Sequence, residues 1–488
     1  MIQLIVVGVV LFFLIVICVG VYLSRLVKGR SENYIVANRQ LILGVTAATL
    51  MAQSIDADIT LGLANFSFLY GFWSGAAMII GLSGALILIG LFFAEPLNEM
   101  KLLTPPDFYG RKYGRTMEIM VSSLMVFSSA IFVGGCLVAV GFIFQIFLGV
   151  SYWLGIFIVS VGILMYTVPG GLISVVNTDL IQLVMILLGV IALVVFMMTS
   201  GISIEISQEI FDTHQIINPG NGALINLAIL LALGVGNIIA VDFVERVFAI
   251  DNPKTAKWAF YIAGIGTLLI GIPFIIIGIA SINIFNTLNI TVDPVNEPVL
   301  LTLLANVSPT VFSIPIILGI LAAAVSTADG LIVAASSIIS HNLLGYNPED
   351  TNNHGDKLLF MSRLSTIPVA VLAMFFAMFI PVSGILIILS FDILLSGAVV
   401  PFILGLFWSK SNTPAAIVSF LSGSFTRLIL FVLTPSFYGL SNDVMFIEGF
   451  FTSAFDGMPT IISPAVSLIT FVLVALVTQK SHPPREII

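Results

Sequence analysis

Two carboxylates, Asp56 and Asp58, lie in the stretch from Leu41 to Tyr70, which carries no other charge and is apolar enough to cross a membrane. A carboxylate near the bilayer centre costs roughly 3 kcal/mol on insertion scales. A span that keeps two of them either faces them into a wet cavity or uses them on a proton, a cation or a cationic solute. The competing reading is a re-entrant polar segment that only packs against another span. Gln53 and Ser54 directly precede this pair and add neutral polar groups to the same turn.

A second group of oxygens stands in the run from Ala322 to Gly330, AAAVSTADG. Ser326 and Thr327 offer two hydroxyls in succession, and Asp329 adds a charge that needs company. Hard cations prefer oxygen ligands, so hydroxyls with free backbone carbonyls suit a dehydrated Na+. Alternatively, both hydroxyls bond back to carbonyls three or four residues earlier, as is common in membrane helices. Asp179 follows a Pro-Gly-Gly turn in YTVPGGLISVVNTDLIQ. It is either a helix N-terminal charge favoured by the dipole or a stop on an ion route. Asn237, in the glycine-containing GVGNIIAVD, is a neutral donor and acceptor suited to contact with a solute. Glu245 and Arg246 read mostly as a solvated or paired inner boundary, a reading that does not extend to Asp242, and Asp392 and Arg427 are opposite charges that pair with each other or with other helices, unless Arg427 snorkels.

Enzyme signatures are missing. The sequence has no GxxxxGK[ST] loop, GxSxG elbow, HExxH or CxxC. Its four histidines, His214, His341, His354 and His482, fall in loops or at span ends. The chain is therefore expected not to be an enzyme, and without a basic aromatic patch it is expected to bind no nucleic acid.

The elements that must position these groups follow from composition. The 488 residues are 59% hydrophobic and 9% charged, against roughly 25% charged in soluble domains. This is an all-α polytopic membrane protein whose main partner is the lipid bilayer. Cys18 and Cys136 both lie in apolar runs and read as small core residues. Runs of about 20 apolar residues mark spans. Thirteen are expected, at 2–24, 41–66, 73–96, 119–147, 152–169, 177–200, 221–244, 257–285, 311–342, 359–380, 383–408, 412–434 and 457–478. The first shows no cleavable signal pattern and reads as retained.

Basic residues sort to one side of this topology. Arg25, Lys28, Arg30 and Arg39 follow the first span, Lys101, Arg111, Lys112 and Arg115 the third, and Arg246, Lys254 and Lys257 the seventh. The opposite loops hold Glu205, Glu209, Asp212, Asp293, Glu297, Asp443 and Glu448 instead. The positive-inside rule then places the N-terminus outside and the C-terminus in the cytoplasm, in a multi-pass plasma-membrane protein. Arg427, inside the twelfth span, is the exception.

The second and seventh spans both have polar, glycine-containing or charged middles, and each opens a set of five helices. Odd-numbered sets have opposite orientations, so the pattern points to an inverted-repeat transporter with its site at the breaks. Residues 1–40 form the first helix and a cytoplasmic linker, 41–200 the first repeat, 201–408 an outer loop and the second repeat, and 409–488 two further helices with a short tail.

At this level of detail the chain resembles the sodium:solute symporter family along nearly its whole length. ENYIVANR (32–39) is similar to the family's aromatic–x–x-Ala-Gly-Arg approach to its first core helix, with Asn38 in place of the usual glycine. PGGLISVVNTDLIQ is similar to its Gly-Gly…Thr-Asp-x-x-Gln signature, and LAAAVSTAD to its Ala-x-x-Ser-[Ser/Thr] ion motif. The resemblance implies the leucine-transporter fold, a five-plus-five inverted-repeat core with one helix before and two after. It also implies a Na+ site made by the carbonyls of Ala52, Ile55 and Ala323 and the hydroxyls of Ser326 and Thr327, with Asp179, and Asp329 near it, on the ion route.

The expected function is Na+-coupled uptake of a small polar or cationic organic solute by alternating access, with Gln53, Ser54, Asp56, Asp58 and Asn237 on the solute side. Two carboxylates would repel an anion and leave urea, polyamines, choline-like cations or amino acids. Proton coupling through Asp56 or Asp58 is the rival. A transporter-like sensor is disfavoured because only ten residues follow position 478, and saturable uptake against a gradient would exclude a channel. Monomer and homodimer are both compatible with the sequence.

Overall fold

The computed structural model describes residues 2–200, 211–294, 297–352, 355–382, 384–442, 446–447 and 451–485. Glu205, Glu209, Asp443 and Glu448, four of the acids that define the expected outer face, lie outside them.

Helix α1 (Ile2–Leu23) stands at the edge, with Leu4, Leu11 and Leu14 facing outward as lipid contacts would. A short helix α2 (Ser31–Val36) follows. It ends in a left-handed turn in which Ala37, Asn38 and Arg39 take φ of 45°, 54° and 54°. Asparagine tolerates this region better than other non-glycine residues, which explains Asn38 where the family pattern has glycine.

The second span is broken. Helix α3 (Leu43–Ser54) stops, and α4 (Ala57–Tyr70) starts again after Ile55 and Asp56. Asp56 is extended (φ −92°, ψ 170°) and caps α4, its Oδ1 accepting from the Ile59 N–H at 2.6 Å. An aspartate here favours a new helix start over continuation of the old one. Next come α5 (Phe72–Leu88), α6 (Ala94–Glu99), α7 (Pro106–Tyr113) and α8 (Arg115–Ile143).

Helix α9 (Tyr152–Thr199) is one run of 48 residues, turned at Gly171, whose φ of 54° and ψ of −148° are non-helical. A Cβ at Gly171 would lie 2.5 Å from the Tyr34 ring, so both the conformation and the packing require glycine. Helix α10 (His214–Ile217) is a single turn. The second break then separates α11 (Ala223–Gly234) from α12 (Val241–Ala249) by a 3-10 segment, Gly236–Ile239. The chain ends with α13 (Pro253–Leu288), α14 (Val299–Asn306), α15 (Thr310–Ile338), α16 (Lys357–Phe379), α17 (Ile385–Gly397), α18 (Val399–Phe407), α19 (Thr413–Leu433) and α20 (Met458–Thr478).

Ten described helices are long and apolar enough to cross a membrane, or eleven with the α17–α18 pair, bent by 50°, taken as one. The sequence leads to thirteen. The difference has two sources. The α3 and α4 pieces have 12 and 14 residues and are too short singly. The spans expected at 152–169 and 177–200 run together through Gly171.

Helices α8 and α15 are central and largely buried, whereas α1, α19 and α20 are peripheral. The α9–α15 crossing is close because Gly189 faces Gly319. A Cβ on Gly189 would sit 2.9 Å from the Pro315 carbonyl oxygen and 3.2 Å from Gly319 Cα. Small residues at such crossings let membrane helices pack backbone to backbone. That packing brings Asp179 on α9, the α3 break and Ser326 on α15 into one layer.

Candidate ion and solute site

The α3 break controls the local chemistry. A helix leaves its last four carbonyls without intrahelical donors. The Met51 carbonyl is taken by the Ile55 N–H at 3.1 Å. Those of Ala52 and Gln53 turn instead to α15. Ser326 Oγ donates to the Ala52 carbonyl at 2.9 Å and to Ala323 at 3.0 Å. Thr327 Oγ1 lies 3.0 Å from the Gln53 carbonyl and 3.3 Å from that of Ala323. Each hydroxyl has one proton, so the back-bond to the preceding turn and the bond across to α3 share it. Ile55, in the break itself, is fully buried.

The result is a buried group of neutral oxygens from two helices. Each hydroxyl can turn its proton away and present a lone pair to a cation, whereas carbonyls need no rearrangement. This donor set fits a weakly held monovalent hard cation. Among the described residues no three His, Cys, Asp or Glu side chains converge in a metal cage.

Beside these oxygens lies a charged network. Thr49, one turn before Gln53 on α3, donates its hydroxyl to Asp179 Oδ2. Gln53 Nε2 bonds both Asp179 Oδ1, at 3.2 Å, and the Ser326 carbonyl. Arg246 of α12 places Nη2 3.1 Å from Asp179 Oδ2, Nε 2.9 Å from Thr49 Oγ1 and Nη1 2.9 Å from the Asp242 carbonyl. Arg246 and Asp179 are both completely buried. Gly330 gives the Gln53 amide its room, since a Cβ there would lie 2.4 Å from Oε1. Asp329 accepts at Oδ2 from the Tyr166 hydroxyl, and its buried Oδ1 has no hydrogen-bond partner among the described residues.

The solute-side residues separate in space. Gln53 points to Asp179 rather than to open volume. Ser54 Oγ lies 2.5 Å from Thr267 Oγ1 on α13 and 3.1 Å from the Met51 carbonyl. Asp56 caps α4. Asp58 is in the first turn of α4, and its side chain lies outside the described structure. Asn237, in the second break, is fully buried, and neither its amide nitrogen nor its oxygen has a partner among the described residues. Such an orphan is costly in an apolar interior and is expected where a ligand or water completes it.

Thr49, Tyr166, Arg246 and Thr267 belong to these networks but escape a reading of motifs. Thr49 is marked only by its four-residue spacing from Gln53, and Arg246 only by its four-residue spacing from Asp242. Nothing in the sequence says that Arg246 turns inward. Asp392 and Arg427, opposite charges on α17 and α19, do pair, with Arg427 Nε 2.6 Å from Asp392 Oδ2.

Two interrupted membrane helices flanking a buried polar centre define a secondary transporter of the leucine-transporter type. The fold agrees with that of a Na+-coupled sialic acid symporter in a substrate-bound outward-open state, with a TM-score of 0.79 at 15% identity over 99% of this chain and 98% of that one. Residues 34–423 match the Sodium:solute symporter family, and the chain belongs to it. Among its relatives, the human high affinity choline transporter 1 is 26% identical over 449 residues, 86% of this chain and 76% of that protein. The high-affinity proline transporter PutP of Bacillus subtilis (strain 168) is 24% identical over 71% of this chain and 75% of its own length. Both relatives are transporters, and this membership makes the chain a Na+-coupled solute transporter of the membrane.

Proposed function

We propose that this protein takes up a small organic cation of the choline type together with Na+ by alternating access. Na+ binds the carbonyls of Ala52, Ile55 and Ala323 and the hydroxyls of Ser326 and Thr327, to which the Gln53 carbonyl is added. The observation that carries this reading is the convergence of Ser326 and Thr327 on the carbonyls freed by the α3 break. Organic-cation chemistry is supported by the kinship with choline transporters and by Asp56 and Asp58 in that same break. Asn237 supplies the hydrogen-bonding wall opposite.

The basic loops face the cytoplasm, with the N-terminus outside. Na+ binding joins α3 to α15 and favours the outward-facing state. Solute then enters between the two breaks, the repeats rock, and Na+ leaves past Asp179. One positive charge crossing 100 mV contributes roughly 2.3 kcal/mol, and a tenfold Na+ gradient about 1.4 kcal/mol more.

Currents from proteoliposomes on a solid-supported membrane test this directly. Choline, proline, urea, a polyamine and a sugar are each added in Na+ and then in K+. A current for choline that requires Na+ is expected. Currents indifferent to Na+ but shaped by pH would move coupling to a proton, and a Na+-dependent current for another solute would replace the cation.

A further inference from the structure

Between the end of α1 and the turns of α9 beyond Gly171 lies a pocket that neither ion nor solute uses. Its volume is about 250 Å³, and Lys28, Asn33, Asn38, Gln40 and Asn177 line it, against an apolar wall of Ile173 and Val176. One ammonium and four amides thus face the space, and no carboxylate does. Lys28, like Arg25 and Arg30 on either side of it, makes no ion pair among the described residues. The nearest acid in sequence, Glu32, is held by Arg39 at 3.6 Å. Asn33 gives its amide protons to the Leu26 and Val27 carbonyls, and Asn177 donates to Ile173. The side chains of Asn38 and Gln40 make no hydrogen bond among the described residues, so each keeps two N–H donors for a ligand. Asn38 stands where the family pattern has glycine, and the departure therefore adds a donor to the pocket as well as tolerating the left-handed turn.

We propose that this pocket binds the phosphate of an anionic phospholipid headgroup, with Lys28 as its counter-charge and the Asn38 and Gln40 amides as donors. The bound headgroup joins the linker after α1, the turn before α3 and α9. Two features point to a lipid rather than to a soluble anion. First, α1 is peripheral, and Tyr22 and Leu26, just ahead of the pocket, are 64% and 48% exposed. They form a surface along which acyl chains lie. Arg25 stacks over the Tyr22 ring, 5.0 Å from its centroid, and such aromatic and basic side chains sit at headgroup level. Second, the pocket is on the face that carries the basic loops, and basic pockets between membrane helices on the cytoplasmic side take phosphate-bearing headgroups.

The test is lipid binding by the full chain in detergent, read by native mass spectrometry and by thermal unfolding. Dioctanoyl phosphatidylglycerol, dioctanoyl phosphatidylethanolamine and inorganic phosphate are titrated in turn. Choline headgroups are avoided because they share the chemistry of the proposed solute. Phosphatidylglycerol should bind and raise the melting temperature, as a ligand of the native state does, and phosphatidylethanolamine should do neither. Lys28→Asn with Asn38→Gly removes the charge and one donor. Both replacements accept the left-handed φ of 51° and 54° at these positions. Phosphatidylglycerol should bind this variant about tenfold more weakly. Lys254→Asn, which removes a basic residue elsewhere on the same face, should leave binding unchanged. If the double variant melts lower without lipid, Gln40→Ala, at an ordinary φ of −120°, repeats the test and should also weaken binding. Equal binding of the two lipids overturns the proposal, as does unchanged binding in the pocket variants. An equal loss in Lys254→Asn overturns it too, because the effect would then be general surface charge. Inorganic phosphate that stabilises as strongly as the lipid would overturn the headgroup as the source and leave a soluble anion in its place.

Discussion

The two helix breaks occupy corresponding places in the chain but treat their polar groups differently. At the first, most groups are engaged, the buried Oε1 of Gln53 being an exception among the described residues. Ser326 and Thr327 hold the Ala52 and Gln53 carbonyls, the Gln53 side chain holds Asp179, Ser54 meets Thr267, and Asp56 caps α4. At the second, the Asn237 amide is buried without a partner among the described residues, while Gly236 lies so close to α17 that a Cβ would be 2.5 Å from the Phe391 carbonyl oxygen. The first break is pre-assembled, with hydrogen bonds that an ion can replace one for one. The second keeps hydrogen-bonding capacity in reserve. Pre-assembly suits an ion site because Na+ is small and its ligands must already be near. A solute site needs groups that stay unsatisfied until the solute arrives.

The largest expected effect comes from breaking the assembled side. Ser326→Ala with Thr327→Ala removes two hydroxyls from the proposed ion site. Each hydrogen bond or contact to a charged group is worth roughly 1.5 kcal/mol or more, so the Na+ concentration for half-maximal uptake should rise by about 100-fold. Choline binding measured at saturating Na+ should change far less. Unchanged Na+ activation would show that these hydroxyls serve only to join α3 to α15.

Asn237→Ala addresses the reserve side. Losing one or two neutral hydrogen bonds of about 1 kcal/mol each should raise the KM for choline by about 5- to 30-fold, with Na+ activation unaffected. The same variant removes an orphaned amide from the interior. Its melting temperature should therefore not fall as it would for the loss of a bonded buried group. A large stability loss with an unchanged KM would mean that Asn237 has a structural partner and that the contrast between the breaks is wrong.

This contrast also marks how far the sequence can be read. Asp56 among apolar residues announces the first break, and the Ser326–Thr327 pair announces its partner, because charge and adjacent hydroxyls are conspicuous in a hydropathic background. Asn237 is visible for the same reason. What composition does not disclose is direction. Gln53 is one residue from Ser54, yet its amide turns to Asp179 while Ser54 turns to α13. Arg246 reads as a membrane-edge cation, but α12 begins late, after the 3-10 segment, and this carries the guanidinium into the core. The count of unbroken helices differs from the count of expected spans for a related reason. Residues 152–199 contain two apolar runs, and only the backbone shows that Gly171 joins them in one turned helix rather than leaving a loop.

The smallest expected effect sharpens the comparison most. Asp56 carries a charge that could attract a cation and also caps α4 through Ile59 N–H at 2.6 Å. Asparagine caps helices about as well as aspartate, whereas alanine forfeits the cap at a cost of about 1 kcal/mol. Asp56→Asn should therefore leave the melting temperature nearly unchanged, and Asp56→Ala should lower it. If the first break is committed to structure and ion, Asp56→Asn should raise the choline KM less than Asn237→Ala does. A larger rise, with stability intact, would make the Asp56 carboxylate the main anchor of the solute's positive charge. The solute would then bind chiefly to the first break, and the second would act as its lid.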